Sequence, residues 1–353
     1  MTEPVEGSGG AAAARPTDEP PGPPPAGRGP SGKAGLLALL LLALLLRLPY
    51  LQQVPRFTDE WDDTETALAI AHEPGYWPLI SNDHYNGPLF HYLLAAGFRL
   101  GAGLWWPRAL ALLLGLGAVL ATAALASSLA RLLWEPRPAT ASAEAARADD
   151  PAARTRRAGL IAGLLMATSF VPVAVGSHIA WSNSGTPLWT TLFLWLLVEA
   201  LRRDDPRRLV LVGLAGGLAQ QTHPSVLAIL LGAALWAALC RPRWLRGPWP
   251  YAAALAALLA LSNVIVFNLQ SVEGGSLAMA RERDYAFSGR LPQAGAYLRN
   301  VGGALRLSWQ MLGSSFQATI DETADGAALR RQLLSPGALA AVLSGLLAMT
   351  ALA

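Results

Sequence analysis

The sequence predicts an all-α, polytopic helical membrane protein, and two observations carry this prediction: a hydrocarbon-rich composition and long apolar runs. Of the 353 residues, 53% are hydrophobic and only 14% are charged, whereas soluble domains carry about 25% charged residues. The apolar residues stand in repeated Leu/Ala runs, which is typical of helices that cross a bilayer. The net charge of +3 does not indicate a nucleic-acid partner, because the arginines cluster between apolar runs.

The first 33 residues and the first apolar run have different expected roles. Residues 1–33 are rich in Pro, Gly and Ala without apolar periodicity, which favours a disordered tail. Residues 34–46 form the first apolar run, and a signal peptide is the competing interpretation. Because no small-x-small cleavage site follows, a retained anchor helix is favoured. Arg47 is expected to extend to the far membrane interface.

A first outer loop with juxtamembrane helices is expected over 52–103. Its polar part is 52–87, and Pro88 then begins an apolar segment of about 15 residues that reaches position 103. Proline suits the first turn of a helix. The segment is short for a span, so we expect a half-inserted helix.

The distribution of arginines predicts the topology of the remaining spans. Arginine-rich connectors alternate with connectors that have none, so one orientation keeps every cluster on the same side. That orientation puts the amino terminus and the arginines in the cytoplasm of an inner (plasma) membrane protein, with the first loop outside. The spans expected after the first loop are 104–133, 158–176, 186–201, 209–220, 226–240 and 251–267.

The carboxy-terminal part of the sequence is expected to return to the membrane. Residues 268–335 should form an outer segment with an interfacial amphipathic helix, and 336–353 is one more apolar run, at whose end the sequence stops, so we expect a partial protein. The single cysteine, Cys240, excludes an intrachain disulfide and disfavours a cysteine-based metal site.

An acidic segment in the first loop is the candidate site. Five carboxylates stand within seven residues: Asp59, Glu60, Asp62, Asp63 and Glu65. If the segment is helical, Asp59, Asp62 and Asp63 share one face. The competing interpretation is a solvated acidic stretch that caps a helix, since carboxylates are stabilised near a helix amino terminus.

The order of motifs resembles the lipid-linked-sugar glycosyltransferases of the GT-C superfamily. The resemblance is nearest to the branch of protein O-mannosyltransferases and bacterial aminoarabinose transferases. It is carried by an anchor helix, Asp59-Glu60 in the first loop, Gly87-Pro88-Leu89-Phe90-His91-Tyr92-Leu93, and Trp106-Pro107-Arg108-Ala109-Leu110. The segment from Gly213 to Ala219, followed by Thr222-His223-Pro224, also resembles a recurring span of that family.

The resemblance implies transfer of a sugar from a polyprenyl phosphate to an acceptor hydroxyl on a lipid, glycan or protein, with inversion. It makes Asp59 the candidate base and Glu60 its partner, which would orient the acceptor or share a proton. A base of this kind typically contributes about 10²–10⁴-fold in rate. The departing phosphate needs nearby positive charge.

Several residues are candidates for substrate binding. Arg108 lies at the outer end of a span, and a guanidinium suits phosphate. His84 and His91, with Asp83, are candidates for binding phosphate or a divalent metal ion, and no metal requirement is established. Asn183 and His223 lie in other outer connectors, so the topology lets them face the same vestibule.

Two other classes of protein stay open at this point. A transporter or flippase of a lipid-linked substrate would show charges or broken helices near mid-membrane in paired repeats, and no internal repeat is visible. A non-catalytic membrane protein that retains the fold is the other. Two departures from the family pattern support the non-catalytic interpretation. Asn86-Gly87 stands where the family often has a basic residue, and Asn183 lies in a connector where the family often has an arginine and an aspartate.

Overall fold

The protein is helical throughout the part that we can describe. A computed structural model describes residues 32–56, 58–81, 86–134, 151–271 and 275, and in these residues all regular structure is α or 3₁₀ helix. This confirms the all-α prediction. The helices are α1 (Gly32–Arg47), α2 (Thr58–His72), α3 (Leu89–Arg99), α4 (Trp106–Trp134), α5 (Pro151–Thr168), α6 (Phe170–His178), α7 (Thr186–Arg203), α8 (Leu209–Gln220), α9 (Val226–Cys240), α10 (Trp249–Ala260) and α11 (Ser262–Gln270).

The apolar runs set the helix positions, and α4 is the clearest case. Its 29 residues form the one described helix that is long and apolar enough to cross a membrane unaided. Two bent pairs, α5 with α6 and α10 with α11, raise this number to three if each pair is one broken span. Helix α3 has 11 residues and is about 16 Å long, so it is too short to cross a hydrocarbon core of about 30 Å.

Two of the predicted spans, 158–176 and 251–267, are not straight helices. The first is bent by 63° between α5 and α6, and the second by 65° between α10 and α11. Proline explains the first break, since Pro172 lacks an N–H and its ring clashes with the carbonyl of Thr168 four residues earlier. Ser169 accordingly adopts an extended backbone, with φ −63° and ψ 134°.

Close helix packing builds the second half of the bundle. Gly213 and Gly217 of α8 lie against α10, where a Cβ on either residue would approach the backbone carbonyl oxygen of Ala253 or Ala257 to 2.0 or 2.6 Å. Small residues four positions apart let two helix backbones approach in this way. The motif that resembles a family span is therefore a helix contact.

The connectors between the helices lie at two opposite ends of the bundle. At one end, Pro49 after α1 accepts a hydrogen bond from His178, the last residue of α6. At the same end, Thr186 at the start of α7 donates to Thr222 after α8. We call this the acidic end, because α2 lies there. At the other end, which we call the arginine end, α7 and α9 finish and α8 and α10 begin, among the arginines between 202 and 246.

Arg47 does not extend to the interface as expected. Its side chain is fully buried, and Nη1 donates to the carbonyl of Ala167 at 2.8 Å while Nη2 donates to that of Met166 at 3.2 Å. These carbonyls end α5, and the break at Ser169 leaves them without the next helical turn. Arg47 therefore caps α5 from another helix.

The remaining predictions about the termini lie outside the described residues. These are the tail 1–33 apart from its last two residues, which begin α1, the outer segment 268–335 beyond Ser271 apart from Gly275, and the final run 336–353.

Candidate functional site

The acidic segment is a helix, α2, and its carboxylates differ in burial. Glu60 and Asp63 are buried on the stripe that continues through Ala67 and Ile70 into the core. Asp59 and Asp62 are exposed. Asp59, Asp62 and Asp63 have the helical spacing that was expected to put them on one face, but they differ in exposure, because Asp63 belongs to the buried stripe together with Glu60.

Glu60 forms a bidentate ion pair with Arg108. Nε of Arg108 donates to Oε1 at 2.8 Å and Nη2 donates to Oε2 at 3.0 Å. The two side chains are 0% and 1% exposed. A buried pair of this geometry has its charges balanced and its hydrogen bonds made. Glu60 and Arg108, both expected to face substrate, instead face each other.

Arg108 also holds the chain that leads into α2. Its Nη1 donates to the carbonyl of Leu51 at 2.7 Å, and Nη2 donates to that of Pro55 at 3.4 Å. Both carbonyls belong to the connector between α1 and α2. One guanidinium at the start of α4 thus fixes the connector and the first turn of α2, and with them the position of Asp59.

Asp63 forms a second buried contact, between three separate parts of the chain. Its Oδ1 lies 2.8 Å from Nε2 of His91 in α3, and its Oδ2 accepts a 2.7 Å hydrogen bond from the backbone N–H of Ser182. We call Asp63, His91 and Ser182 the buried latch. The latch ties α2 to α3 and to the connector before α7.

Asn86 and Asn183 extend the buried latch. Nδ2 of Asn86 lies 3.4 Å from both Oγ of Ser182 and Oδ1 of Asn183. The next residue, Gly87, donates its N–H to the carbonyl of Gln221 at 2.8 Å. A Cβ at Gly87 would lie 2.5 Å from the Gln221 side chain, so glycine permits this approach. The Asn86-Gly87 departure from the family pattern therefore has a packing role here.

His223 lies in the connector between α8 and α9, at the acidic end. Its Nδ1 accepts a hydrogen bond from the backbone N–H of Ser225 at 3.2 Å and lies 2.7 Å from Oγ of the same residue. Burial lowers the pKa of the His223 imidazole, since a buried site disfavours the charged form. His223 is therefore neutral at pH 7 and offers a substrate hydrogen bonds rather than positive charge.

Asp59 and Trp61 are exposed residues in the amino-terminal part of α2, and Arg56 precedes the helix. Trp61 is exposed on the same helix, and the guanidinium of Arg56 lies over its ring at 4.9 Å from the centroid. Arg56 also donates to the carbonyl of Leu104, next to the exposed Trp105. Arg56 is not among the site residues predicted from the sequence, although a basic residue three positions before an acidic pair is a visible signal.

The described residues do not assemble a metal site. No group of three or more His, Cys, Asp or Glu side chains converges among them. His84 and its neighbour Asp83 lie outside the described residues, and His91 is engaged with Asp63.

Asp63→Ala is expected to destabilise the protein by about 3 kcal/mol. The change leaves the N–H of Ser182 and the imidazole of His91 buried without their acceptor. Thermal unfolding of the purified protein in detergent measures the effect. Asp62→Ala is the matched control, because Asp62 is exposed on the same helix and should change stability by less than about 0.5 kcal/mol. Equal unfolding temperatures for both variants would refute a stabilising role for the buried latch.

These features define a class of protein. A bundle of apolar helices that includes a membrane-spanning candidate holds one acidic helix by a buried ion pair and a buried latch. The molecule is an all-α helical membrane protein with a candidate site at one end of its bundle.

Comparison with known families makes this class more specific. The family model described as dolichyl-phosphate-mannose-protein mannosyltransferase matches residues 152–267, about a third of the chain, from α5 into α11. The match confirms the resemblance to GT-C membrane glycosyltransferases. It does not extend to α2, so the roles of Asp59 and Glu60 have to be argued from geometry. Neither the curated proteins nor the solved structures include a significant match to this chain.

Proposed function

We propose that this glycosyltransferase transfers a sugar from a polyprenyl-phosphate donor to an acceptor hydroxyl on the outer side of the plasma membrane, with inversion. The observation that carries the proposal is the first turn of α2. There an exposed carboxylate, Asp59, precedes a carboxylate, Glu60, that is fully buried against Arg108. Asp59 is exposed, so a substrate can reach it, and its buried neighbour Glu60 holds the turn in place.

Asp59 is the proposed base. The acceptor O–H gives its proton to Asp59 while the oxygen attacks the anomeric carbon, and the bond from that carbon to the phosphate oxygen breaks on the opposite face. The sugar is inverted and the polyprenyl phosphate leaves with the bonding electrons. Correct positioning of a base matters because proton transfer requires heavy-atom distances of about 2.6–3.2 Å.

Glu60 and Arg108 are proposed as positioning residues. Arg108 donates four hydrogen bonds, to Glu60, Leu51 and Pro55, and the carboxylate of Glu60 balances the charge of Arg108. This leaves it poorly suited to bind a phosphate. Arg56 is the better candidate for stabilising the departing phosphate, because it precedes Asp59 by three residues and its side chain is partly exposed.

The other predicted binding residues are proposed to act at the rim of the same site. His91 and Asn183 hold the connectors together through the buried latch and its extension. A neutral His223 can donate a hydrogen bond to a sugar or phosphate oxygen. His84 stays a proposal from sequence. The positive-inside rule supports a cytoplasmic arginine end and an outer acidic end.

Reconstituted transfer is the experiment that tests the function. The purified chain is placed in proteoliposomes with synthetic polyprenyl-phosphate sugars that carry a radiolabelled hexose or pentose, together with membrane, glycan or peptide acceptors. We expect transfer from at least one donor, and free polyprenyl phosphate as the second product. Movement of intact labelled donor across the bilayer without transfer would instead identify a flippase. If neither transfer nor movement of the donor is detected, the protein is non-catalytic.

A further inference from the structure

A cavity of about 300 Å³ lies at the arginine end, away from the acidic helix. It stands between α7, α8, α9 and α10, and its walls are hydrocarbon, from Phe193 and Leu230 at the inner side to Trp244 and Pro250 at the mouth. Arg241 is the one charged residue among the described residues that line it. The volume is at the lower end of the range for small-molecule sites, so it suits a length of alkyl chain.

The cavity is open on the side between α9 and α10. Helix α8 packs closely along α10, and α9 rests on α7 and α8, while α9 and α10 barely contact each other. Ala234 of α9 and Ala254 of α10 line the cavity and are themselves exposed. An alkyl chain can therefore enter from the bilayer between α9 and α10.

The arginine end, where the cavity lies, carries an excess of positive charge. Seven arginines and three carboxylates stand between residues 199 and 246. Glu199 pairs with Arg202 and Arg203, Asp204 pairs with Arg241 and Arg243, and Asp205 pairs with Arg208.

Two arginines of this group have no such carboxylate. Arg207 and Arg246 form no ion pair with the described residues, and Arg207 lies over the ring of Trp249, 5.9 Å from its centroid. The positive charges of Arg207 and Arg246 are therefore available to bind an anion.

We propose that this end of the bundle binds an anionic glycerophospholipid. One acyl chain occupies the cavity between α9 and α10, and the phosphate lies among Arg207, Arg241 and Arg246. Basic pockets between membrane helices take anionic headgroups for this reason, and the half-buried Trp249 beside Arg207 is of the residue type that is enriched at the headgroup level. The site is separate from the proposed sugar transfer, because α7 runs the length of the bundle between the two ends.

Thermal unfolding in detergent with added phosphatidylglycerol or phosphatidylcholine tests the site. At about a hundredfold excess over Kd, phosphatidylglycerol should raise Tm by roughly 5 °C, and phosphatidylcholine should have no effect. Arg207→Gln combined with Arg246→Gln should weaken phosphatidylglycerol binding about thirtyfold, and Ala238→Trp, which fills the cavity, should abolish the shift.

Two variants control for charge and bulk. Arg131→Gln removes an exposed arginine near the end of α4, and Leu239→Trp adds bulk to an exposed position beside Ala238. Both should keep the full shift. The proposal is overturned by an equal shift with phosphatidylcholine, or by an unchanged shift in the double arginine variant, which does not depend on whether Ala238→Trp folds. Displacement of phosphatidylglycerol by polyprenyl phosphate at equal concentration would overturn the choice of lipid.

Discussion

Asp59→Asn is expected to lower kcat for sugar transfer by about 10²–10⁴-fold, the usual contribution of a general base. Asparagine has nearly the same size but cannot accept the acceptor's proton. Asp59 is exposed, so the change should alter the free energy of unfolding by less than about 0.5 kcal/mol. Initial rates in proteoliposomes and thermal unfolding of the same preparation measure the two quantities.

The matched control for this prediction is Asp62→Asn. Asp62 is also an exposed carboxylate of α2, so the substitution changes the net charge of the helix by the same amount. It should retain most of the wild-type rate. Equal losses in the two variants would mean that the acidic helix acts through its total charge, and a fully active Asp59→Asn enzyme would remove Asp59 from the mechanism.

Glu60→Gln is expected to destabilise the protein by about 3–5 kcal/mol, the typical result of leaving one partner of a buried ion pair uncompensated. The glutamine keeps the shape of the side chain but cannot balance the charge of Arg108, which is 1% exposed. The first turn of α2 should lose its fixed position, so kcat should fall as well. Thermal unfolding and initial transfer rates are measured on the same variant.

A double-mutant cycle measures the coupling free energy between Glu60 and Arg108. Arg108→Met alone should also destabilise, whereas Glu60→Gln with Arg108→Met should recover part of the loss, with a coupling of about 0.5–3 kcal/mol. Glu65→Gln, at an exposed position of the same helix, serves as the control and should stay within about 0.5 kcal/mol of wild type. Strictly additive effects of the two core substitutions would contradict the proposed coupling.

The apolar runs predicted the second half of the bundle well. The bounds predicted for 209–220 and 226–240 coincide with helices α8 and α9, because arginines, prolines and polar residues end each run sharply. With 12 and 15 residues, these helices are shorter than the roughly 20 residues of a full span. The break after Thr168 also had a local signal in Pro172. The break between α10 and α11 had none: Asn263 follows it and donates to the carbonyl of Leu79, in a distant loop.

The sequence was enough to establish that the chain is helical, that it is built for a membrane and that its acidic and arginine-rich segments are separate. These properties depend on composition and on residues a few positions apart. Only the tertiary structure decided that Glu60 and Asp63 are buried while Asp59 is exposed. The partners that decide it, Arg108, His91 and Ser182, lie 48, 28 and 119 residues away. Contacts across such distances form only when the helices pack, so no local pattern distinguishes a carboxylate that holds the fold from one that meets a substrate.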